Sequence, residues 1–142
     1  MFYKYRMSVP ENEWVVLILD PVVLSSSNAA FCRNNAADSR MNRLSLAERM
    51  TARAFCSMFA PADDLPAREG AMLRLYDPSD VQAEVLVFDC LQPDRIKGAV
   101  FMKAHSLRRY RECLVGRSLY VQADRTGLFG LRSHARQSDV TF

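Results

Sequence analysis

The amino-acid sequence predicts an α+β fold, with a mixed, mainly antiparallel sheet and a few helices. Short apolar runs bounded by turn residues are typical of strands, and they occur at residues 14–19 and 81–88. A capping box at residues 45–48 predicts the start of a helix, and Pro, Asn and Asp are frequent between these segments. A chain of 142 residues is long enough to form one core, so we expect residues 1–142 to form a single domain.

The composition argues against a membrane or disulfide-bonded protein. Hydrophobic residues make up 49% of the chain and charged residues 25%, and no apolar run approaches the roughly 18 residues that a membrane span needs. No apolar segment follows the charges of the first six residues, so we predict no signal peptide and a cytoplasmic location. The cysteines are more than twenty residues apart, so we predict reduced thiols and no metal site. The alternative is a nucleophilic Cys90 beside His105 or His134, which no surrounding motif supports.

Charge is distributed unevenly along the chain, although the net charge is only +3. Residues 1–94 hold 9 basic and 13 acidic side chains, whereas residues 95–142 hold 10 basic and 3 acidic ones, a balance of +7. Such a segment suits contact with the phosphates of a nucleic acid, and a solvated basic face is the alternative.

The first third of the chain predicts a hairpin followed by a polar segment. Residues 2–7 alternate between aromatic or apolar and polar side chains as a half-buried strand does, and residues 10–13 form a turn. Residues 14–19 are apolar on both faces, which predicts a central strand with Trp14 in the core. Residues 29–40 are rich in Asn and Ala, and either shape a ligand pocket or form a tight loop with a short helical turn.

The middle of the chain predicts one amphipathic helix and a long loop. Ser45 and Glu48 form the capping box, and an apolar residue recurs every fourth position to about residue 59, which predicts an inward face of Leu46, Met50, Ala54 and Met58. Residues 60–80 contain three prolines and no sustained periodicity. A structureless segment of that length is uncommon in a compact domain unless it has a function.

The last third predicts a strand, a helix and a second strand. The strands are expected at residues 98–102 and 118–121, and the helix at residues 105–114. The helix should turn Leu107, Tyr110 and Leu114 inward. Its outer face then holds three arginines that suit phosphate contacts, Arg108, Arg109 and Arg111.

The strand predicted at residues 81–88 contains the candidate reaction centre. Side chains alternate between the faces of a strand, so Gln82 and Glu84 should project together. An ionised Glu in a buried strand needs a partner or a ligand. A carboxylate beside an amide suits a site that holds a sugar hydroxyl and stabilises positive charge on the sugar, and a Glu paired with an Arg is the alternative.

Four blocks of residues, in this order, resemble one known family over nearly the whole chain. They are Glu13-Trp14-Val15-Val16-Leu17 with Asp20-Pro21, Phe31-Cys32-x-x-Asn35-Ala36-Ala37, Val81-Gln82-Ala83-Glu84-Val85-Leu86-Val87, and Ile96-Lys97-Gly98-Ala99-Val100-Phe101. The chain resembles the DarT family, toxins of bacterial toxin–antitoxin systems that transfer ADP-ribose from NAD to bases of single-stranded DNA. The resemblance implies an ADP-ribosyltransferase fold, NAD as substrate, no metal, and an antitoxin partner.

The resemblance also assigns roles to particular residues. Glu84 matches the family's catalytic glutamate, and Gln82 matches the substrate-binding residue two positions before it. Asn35 and Ala36 fall in a block assigned to NAD binding, and residues 60–80 match the loop that receives the target nucleotide.

The chain departs from the family pattern at its beginning. The family has a strand with an NAD-binding histidine, a catalytic arginine and a Tyr-Phe/Arg-Ser-Pro-Met block, none of which occurs here, although residues 1–5 resemble the end of that block. We therefore expect the chain to correspond to the C-terminal part of the domain, without the first strands of the fold. That expectation leaves three functions open: an enzyme that is inactive as this chain alone, a non-catalytic module that binds single-stranded nucleic acid, and an inert remnant.

Overall fold

The computed structural model describes residues 14–26, 28–61, 65, 67–71 and 73–122. They divide into two compact units, residues 14–20 with 92–122, and residues 21–91, and each unit is described by itself. In chain order the strands are β1 (Val15–Leu19), β2 (Ala29–Cys32), β3 (Glu84–Val87), β4 (Ile96–Phe101) and β5 (Ser118–Val121). The helices are α1 (Val23–Ser26), α2 (Ser39–Asn42), α3 (Leu46–Arg49), α4 (Ala52–Ser57) and α5 (Ala104–Tyr110), with 3₁₀-helices at Pro93–Arg95 and Arg111–Leu114. The predicted α+β class is confirmed.

The first unit is a mixed three-stranded sheet with β4 in the middle. β1 pairs with β4 antiparallel, and β5 pairs with β4 parallel. Within the described residues β1 therefore lies at the edge, and the strand predicted to be its hairpin partner, residues 2–7, lies outside them. Its two faces differ. Val16 and Ile18 pack, together with Trp14, against a buried cluster in β4 and just after it, formed by Val100 and Met102. Val15 and Leu17 are each 45% exposed. An apolar run alone does not reveal which face a neighbouring layer covers.

The second unit contains an antiparallel pair, β2 with β3, and a small core under it. The register places Ala29 opposite Val87 and Cys32 opposite Glu84. All four residues of β2 are buried, and Phe31 contacts Phe55 of α4 edge to face, with ring centroids 5.2 Å apart. The loop expected at residues 29–40 therefore contains a strand. The second half of this segment agrees with the predicted loop, because it forms a tight turn followed by the short helix α2.

The helix predicted over residues 45–59 is two helices. The capping box of Ser45 and Glu48 is present and begins α3, but the chain turns extended at Thr51 (φ −116°, ψ 154°), whose side chain accepts the N–H of Ala54 and begins α4. Thr is a favoured N-cap, which explains the break. As a result Leu46 is 44% exposed and Met50 37%, contrary to prediction, while Met58 is buried in the core.

The strand predicted at residues 81–88 is shorter than expected. β3 begins at Glu84, and among the described residues it pairs only with β2. Its side chains are half-buried, so the predicted burial of this strand is wrong. Residues 81 and 82 lie in a turn closed by the N–H of Ala83, which donates to the Asp80 carbonyl at 3.0 Å. An aspartate starting a turn in this way shortens the strand that follows.

The remaining elements agree largely with the sequence. β4 begins two residues before the predicted strand and β5 has the predicted limits. The helix at 105–114 is α5 continued by a 3₁₀-helix, with Leu107 and Leu114 half-buried but Tyr110 41% exposed, so the inward position of Tyr110 is wrong. The strand predicted at residues 2–7 and the basic end lie outside the described residues. In the part of the chain that is described, no helix has the length and apolar character of a membrane span.

Candidate active site

Glu84 lies at the open end of the β2–β3 pair. It is the first residue of β3 and faces Cys32, the last residue of β2. Because β2 ends there, the chain turns directly beside the Glu84 side chain. The carboxylate is half-buried, neither sealed in a core nor fully in solvent.

The turn after β2 places a backbone donor on this carboxylate. The N–H of Ala36 donates to Glu84 Oε1 at 2.5 Å. The turn is held by Asn35, whose Oδ1 accepts the N–H of Ala37 at 2.9 Å and whose carbonyl accepts the N–H of Asp38 at 2.8 Å. The structure thus brings together Glu84, Asn35 and Ala36, three of the residues that the sequence predicts for the site.

The partner of Glu84 is a backbone amide, so the alternative of a Glu–Arg pair is wrong for the described residues. Among these residues the Ala36 N–H is the one hydrogen-bond donor to the carboxylate. A hydrogen bond to one oxygen fixes the orientation of the carboxylate and leaves the second oxygen to accept a hydrogen bond from a ligand.

Gln82 does not project beside Glu84 in the way that strand alternation predicts, because it precedes β3. Its side chain is exposed, and its backbone N–H donates to Asp80 Oδ1 at 2.7 Å. Gln82 is therefore near Glu84 along the chain, but its position is set by the turn that begins at Asp80.

A second polar contact at this end of the sheet was not predicted from the sequence. Asn34 is buried, with 5% of its surface exposed, and its Nδ2 donates to Asp80 Oδ2 at 2.7 Å. The available signals were an Asn doublet directly after an apolar run and an Asp just before the strand. Neither indicates that residues 46 positions apart are paired.

The described residues of the 60–80 segment contain no helix or strand, as predicted, and are connected by side-chain hydrogen bonds. Arg68 donates to Ser79 Oγ at 2.9 Å and to the Arg74 carbonyl at 2.8 Å. Ser79 is buried, and its N–H donates to the Met58 carbonyl at 2.8 Å. Arg74 forms an ion pair with Asp77 at 3.2 Å. These contacts attach the segment to the same unit as Glu84, while Tyr76 is 68% exposed.

The three predicted phosphate-binding arginines belong to the other unit, which contains β1, β4 and β5. All three are exposed, on α5 and the 3₁₀-helix that follows it: Arg108, Arg109 and Arg111. None forms an ion pair with a described residue, and the Arg109 guanidinium carbon lies 5.4 Å from the ring centroid of Tyr110. Their charge is thus available at the surface.

Comparison with protein families identifies the chain. A family model described as "ssDNA thymidine ADP-ribosyltransferase, DarT" matches residues 1–125 of the 142. The chain belongs to the DarT family. The match confirms the resemblance inferred from the four blocks of residues, and it includes Asn35, Ala36, Gln82 and Glu84 as well as the arginines of α5. Among curated proteins, none gives a significant match.

Membership of the DarT family implies a transferase that moves ADP-ribose, with NAD as its donor substrate and single-stranded DNA as the material the family modifies.

In the described residues, no group of three or more His, Cys, Asp or Glu side chains is arranged to hold a metal ion. Cys32 is buried and Cys56, Cys90 and Cys113 are exposed, all as free thiols. A half-buried carboxylate with one oxygen held, as at Glu84, can accept a hydrogen bond from a hydroxyl group with its second oxygen.

Proposed function

We propose that this protein transfers ADP-ribose from NAD to thymidine in single-stranded DNA, with Glu84 as the catalytic carboxylate. The single observation that supports this most directly is the hydrogen bond from the Ala36 N–H to Glu84 Oε1, which joins the predicted NAD-binding turn to the predicted catalytic residue. The description of the DarT family model supplies the reaction and the target base.

In the proposed reaction Glu84 acts through its charge. Its second oxygen accepts a hydrogen bond from a hydroxyl of the nicotinamide ribose. The bond between ribose C1′ and the nicotinamide nitrogen breaks, its electron pair leaves with nicotinamide, and C1′ becomes cationic. A fixed negative charge stabilises such a transition state more than it stabilises the substrate. The thymine base, after losing a proton to solvent, attacks C1′ and forms the new bond to ADP-ribose.

Further residues of the chain would bind the two substrates. Asn35 and Ala36 form the turn beside Glu84 and would contact NAD, while Gln82 and residues 60–80 would contact the DNA. Arg108, Arg109 and Arg111 would contact phosphates. The ADP-ribosyltransferase fold, a toxin–antitoxin role and an antitoxin partner belong to the same proposal, and they rest on family membership.

The test is transfer by the full-length natural protein, measured by mass spectrometry. The protein is incubated with NAD and two single-stranded oligonucleotides of equal length, one containing thymidine and one without it. We expect an ADP-ribose adduct on the first and none on the second. An adduct on both would refute thymidine as the target. Release of nicotinamide without any adduct would refute DNA as the acceptor.

Binding of single-stranded DNA without chemistry is the second candidate function, favoured by the three exposed arginines that form no ion pair with a described residue. Base–aromatic stacking and backbone contacts are sufficient for such binding. A titration with fluorescent single-stranded DNA in the absence of NAD measures it. Binding together with an absence of both adduct and nicotinamide release would favour this second function over the first.

A further inference from the structure

An asparagine and an aspartate are paired beyond each end of the β2–β3 sheet. At the far end, the Asn28 N–H donates to Asp89 Oδ2 at 2.8 Å and its Nδ2 donates to Asp89 Oδ1 at 3.2 Å. At the Glu84 end, Asn34 Nδ2 donates to Asp80 Oδ2 at 2.7 Å. Both pairs join the segments that flank the two strands. The sheet therefore offers an internal comparison, because only one of the two pairs lies near the candidate site.

The pair at the Glu84 end is more buried than the other. Asn34 is buried, whereas Asn28 and Asp89 are exposed. Asp80 accepts from Asn34 with one carboxylate oxygen and from the Gln82 N–H at 2.7 Å with the other, and its carbonyl accepts the Ala83 N–H at 3.0 Å. Asp80 thus connects the end of the 60–80 segment, the turn before β3 and the chain after β2. Losing it would leave a buried amide without its acceptor, which is costly.

The chain after β2 is then held at two points by two carboxylates. Asp80 holds residue 34 through its side chain, and Glu84 holds residue 36 through its backbone N–H. Only Asn35 separates these points, so the position of Asn34 restricts where the Ala36 N–H can lie. We propose that Asp80 is a positioning residue for the Glu84 site, which acts through Asn34 to keep the Ala36 N–H on the Glu84 carboxylate. This inference rests on the proposed function for its effect on catalysis.

The test replaces Asp80 and follows Ala36 directly. In Asp80→Ala the amide resonance of Ala36 in a ¹H–¹⁵N NMR spectrum should move, because the proton loses its fixed hydrogen bond to a charged acceptor. In the transfer assay kcat/KM for NAD should fall by about 10- to 100-fold, since small misplacements of reacting groups have effects of that size. Asp89→Ala removes the matching aspartate at the far end, and should leave both the Ala36 resonance and kcat/KM unchanged.

An exchange of the two side chains separates positioning from general stability. Asn34→Asp alone places two carboxylates together and should displace the Ala36 resonance. Adding Asp80→Asn should restore it, because the new Asn Nδ2 can donate to the new Asp while its Oδ1 still accepts the Gln82 N–H. When the exchanged side chains pair again, the effects of the two single substitutions do not add. The double variant should therefore also recover kcat/KM to within about threefold of wild type.

The inference is overturned if the Ala36 resonance is unchanged in Asp80→Ala, or if the exchange does not restore it. If Asp80→Ala fails to fold, the comparison of Asn34→Asp with the double variant decides in the same way. A wild-type protein that forms no ADP-ribose adduct would refute the proposed function, whereas the position of Ala36 is read from the NMR spectrum without NAD or DNA.

Discussion

The backbone N–H of Ala36 donates a hydrogen bond to Glu84 Oε1, although the two residues are 48 positions apart in the sequence. The antiparallel register creates this contact, because it ends β2 at the residue opposite the start of β3. Neither segment alone makes a site: one supplies a turn with a backbone donor, and the other supplies a negative charge. Their junction is where we expect the anomeric carbon of NAD to react.

The change Glu84→Gln should spare the fold and abolish ADP-ribose transfer. The amide oxygen of Gln can still accept the Ala36 N–H, so the turn and the strand keep their contact. The charge that stabilises a cationic transition state is lost, and kcat should fall on the order of 100-fold or more. Mass spectrometry of thymidine-containing oligonucleotides after incubation of the full-length natural protein with NAD measures the transfer.

Two further measurements make the Glu84→Gln result interpretable. The thermal unfolding midpoint of the variant should match that of wild type, which shows that the loss is chemical. The Ala36 amide resonance should keep a chemical shift that is typical of a hydrogen-bonded N–H. Equal amounts of adduct from wild type and variant would remove Glu84 from the mechanism.

Replacing Arg108 and Arg109 together with Ala should weaken binding of single-stranded DNA and reduce its salt dependence. Each phosphate contact on a single strand contributes roughly 0.7 to the slope of log affinity against log salt concentration, so losing two contacts should lower the slope by about 1.4. Fluorescence anisotropy with a labelled oligonucleotide at several salt concentrations measures both quantities.

Arg95→Ala is the matched control for these arginines. Arg95 belongs to the same unit and forms an ion pair with Asp94, at 3.8 Å. Its removal should leave the slope within error of wild type. If the double variant and Arg95→Ala both keep the wild-type affinity and the wild-type salt dependence, Arg108 and Arg109 do not contact DNA.

Features that depend on neighbouring residues were predictable from the sequence. The capping box at the start of α3 needs only Ser45 and Glu48, and β5 needs only a short apolar run between turns. The end of α3 was not predictable from periodicity, because an apolar residue recurs every fourth position on both sides of Thr51. The Thr51 side chain nevertheless caps a new helix, α4. Local capping chemistry prevailed over the hydrophobic pattern there.

Features that depend on distant residues were predicted less well. β2 has four small or apolar residues without alternation, and its burial comes from packing against residues such as Phe55 of α4. For the site, family resemblance supplied Glu84, Asn35 and Ala36, whereas the Asn34–Asp80 pair follows only from the strand register. Strand propensity carries little information about which strands pair.

Gly98→Ala should destabilise the first unit. A Cβ at this position of β4 would lie 2.5 Å from the carbonyl oxygen of Ser118 in β5, which is closer than the two atoms can approach. The strands would have to separate locally, at a cost of about 1–3 kcal/mol in the free energy of unfolding. Urea unfolding measures this, and Gly70→Ala serves as the control because its new Cβ would lie 3.6 Å from the nearest atom, an ordinary contact. Equal stability of Gly98→Ala and wild type would contradict the close β4–β5 approach.

The capping box of α3 should make stability depend on pH. Glu48 accepts hydrogen bonds from the Ser45 hydroxyl and the Ser45 N–H, each at 2.7 Å, and these lower the pKa of its carboxyl below the usual 4.5. A carboxyl whose pKa is lower in the folded protein stabilises it above the unfolded pKa, and this contribution is lost as the pH falls through the folded value. Wild type should therefore be more stable than Glu48→Gln at pH 7, and the difference should shrink below about pH 4.5. Urea midpoints between pH 7 and pH 3 measure this. In a Ser45→Ala background the trend should weaken, because the larger of the two causes is gone, and a difference that grows towards acid would contradict the lowered pKa.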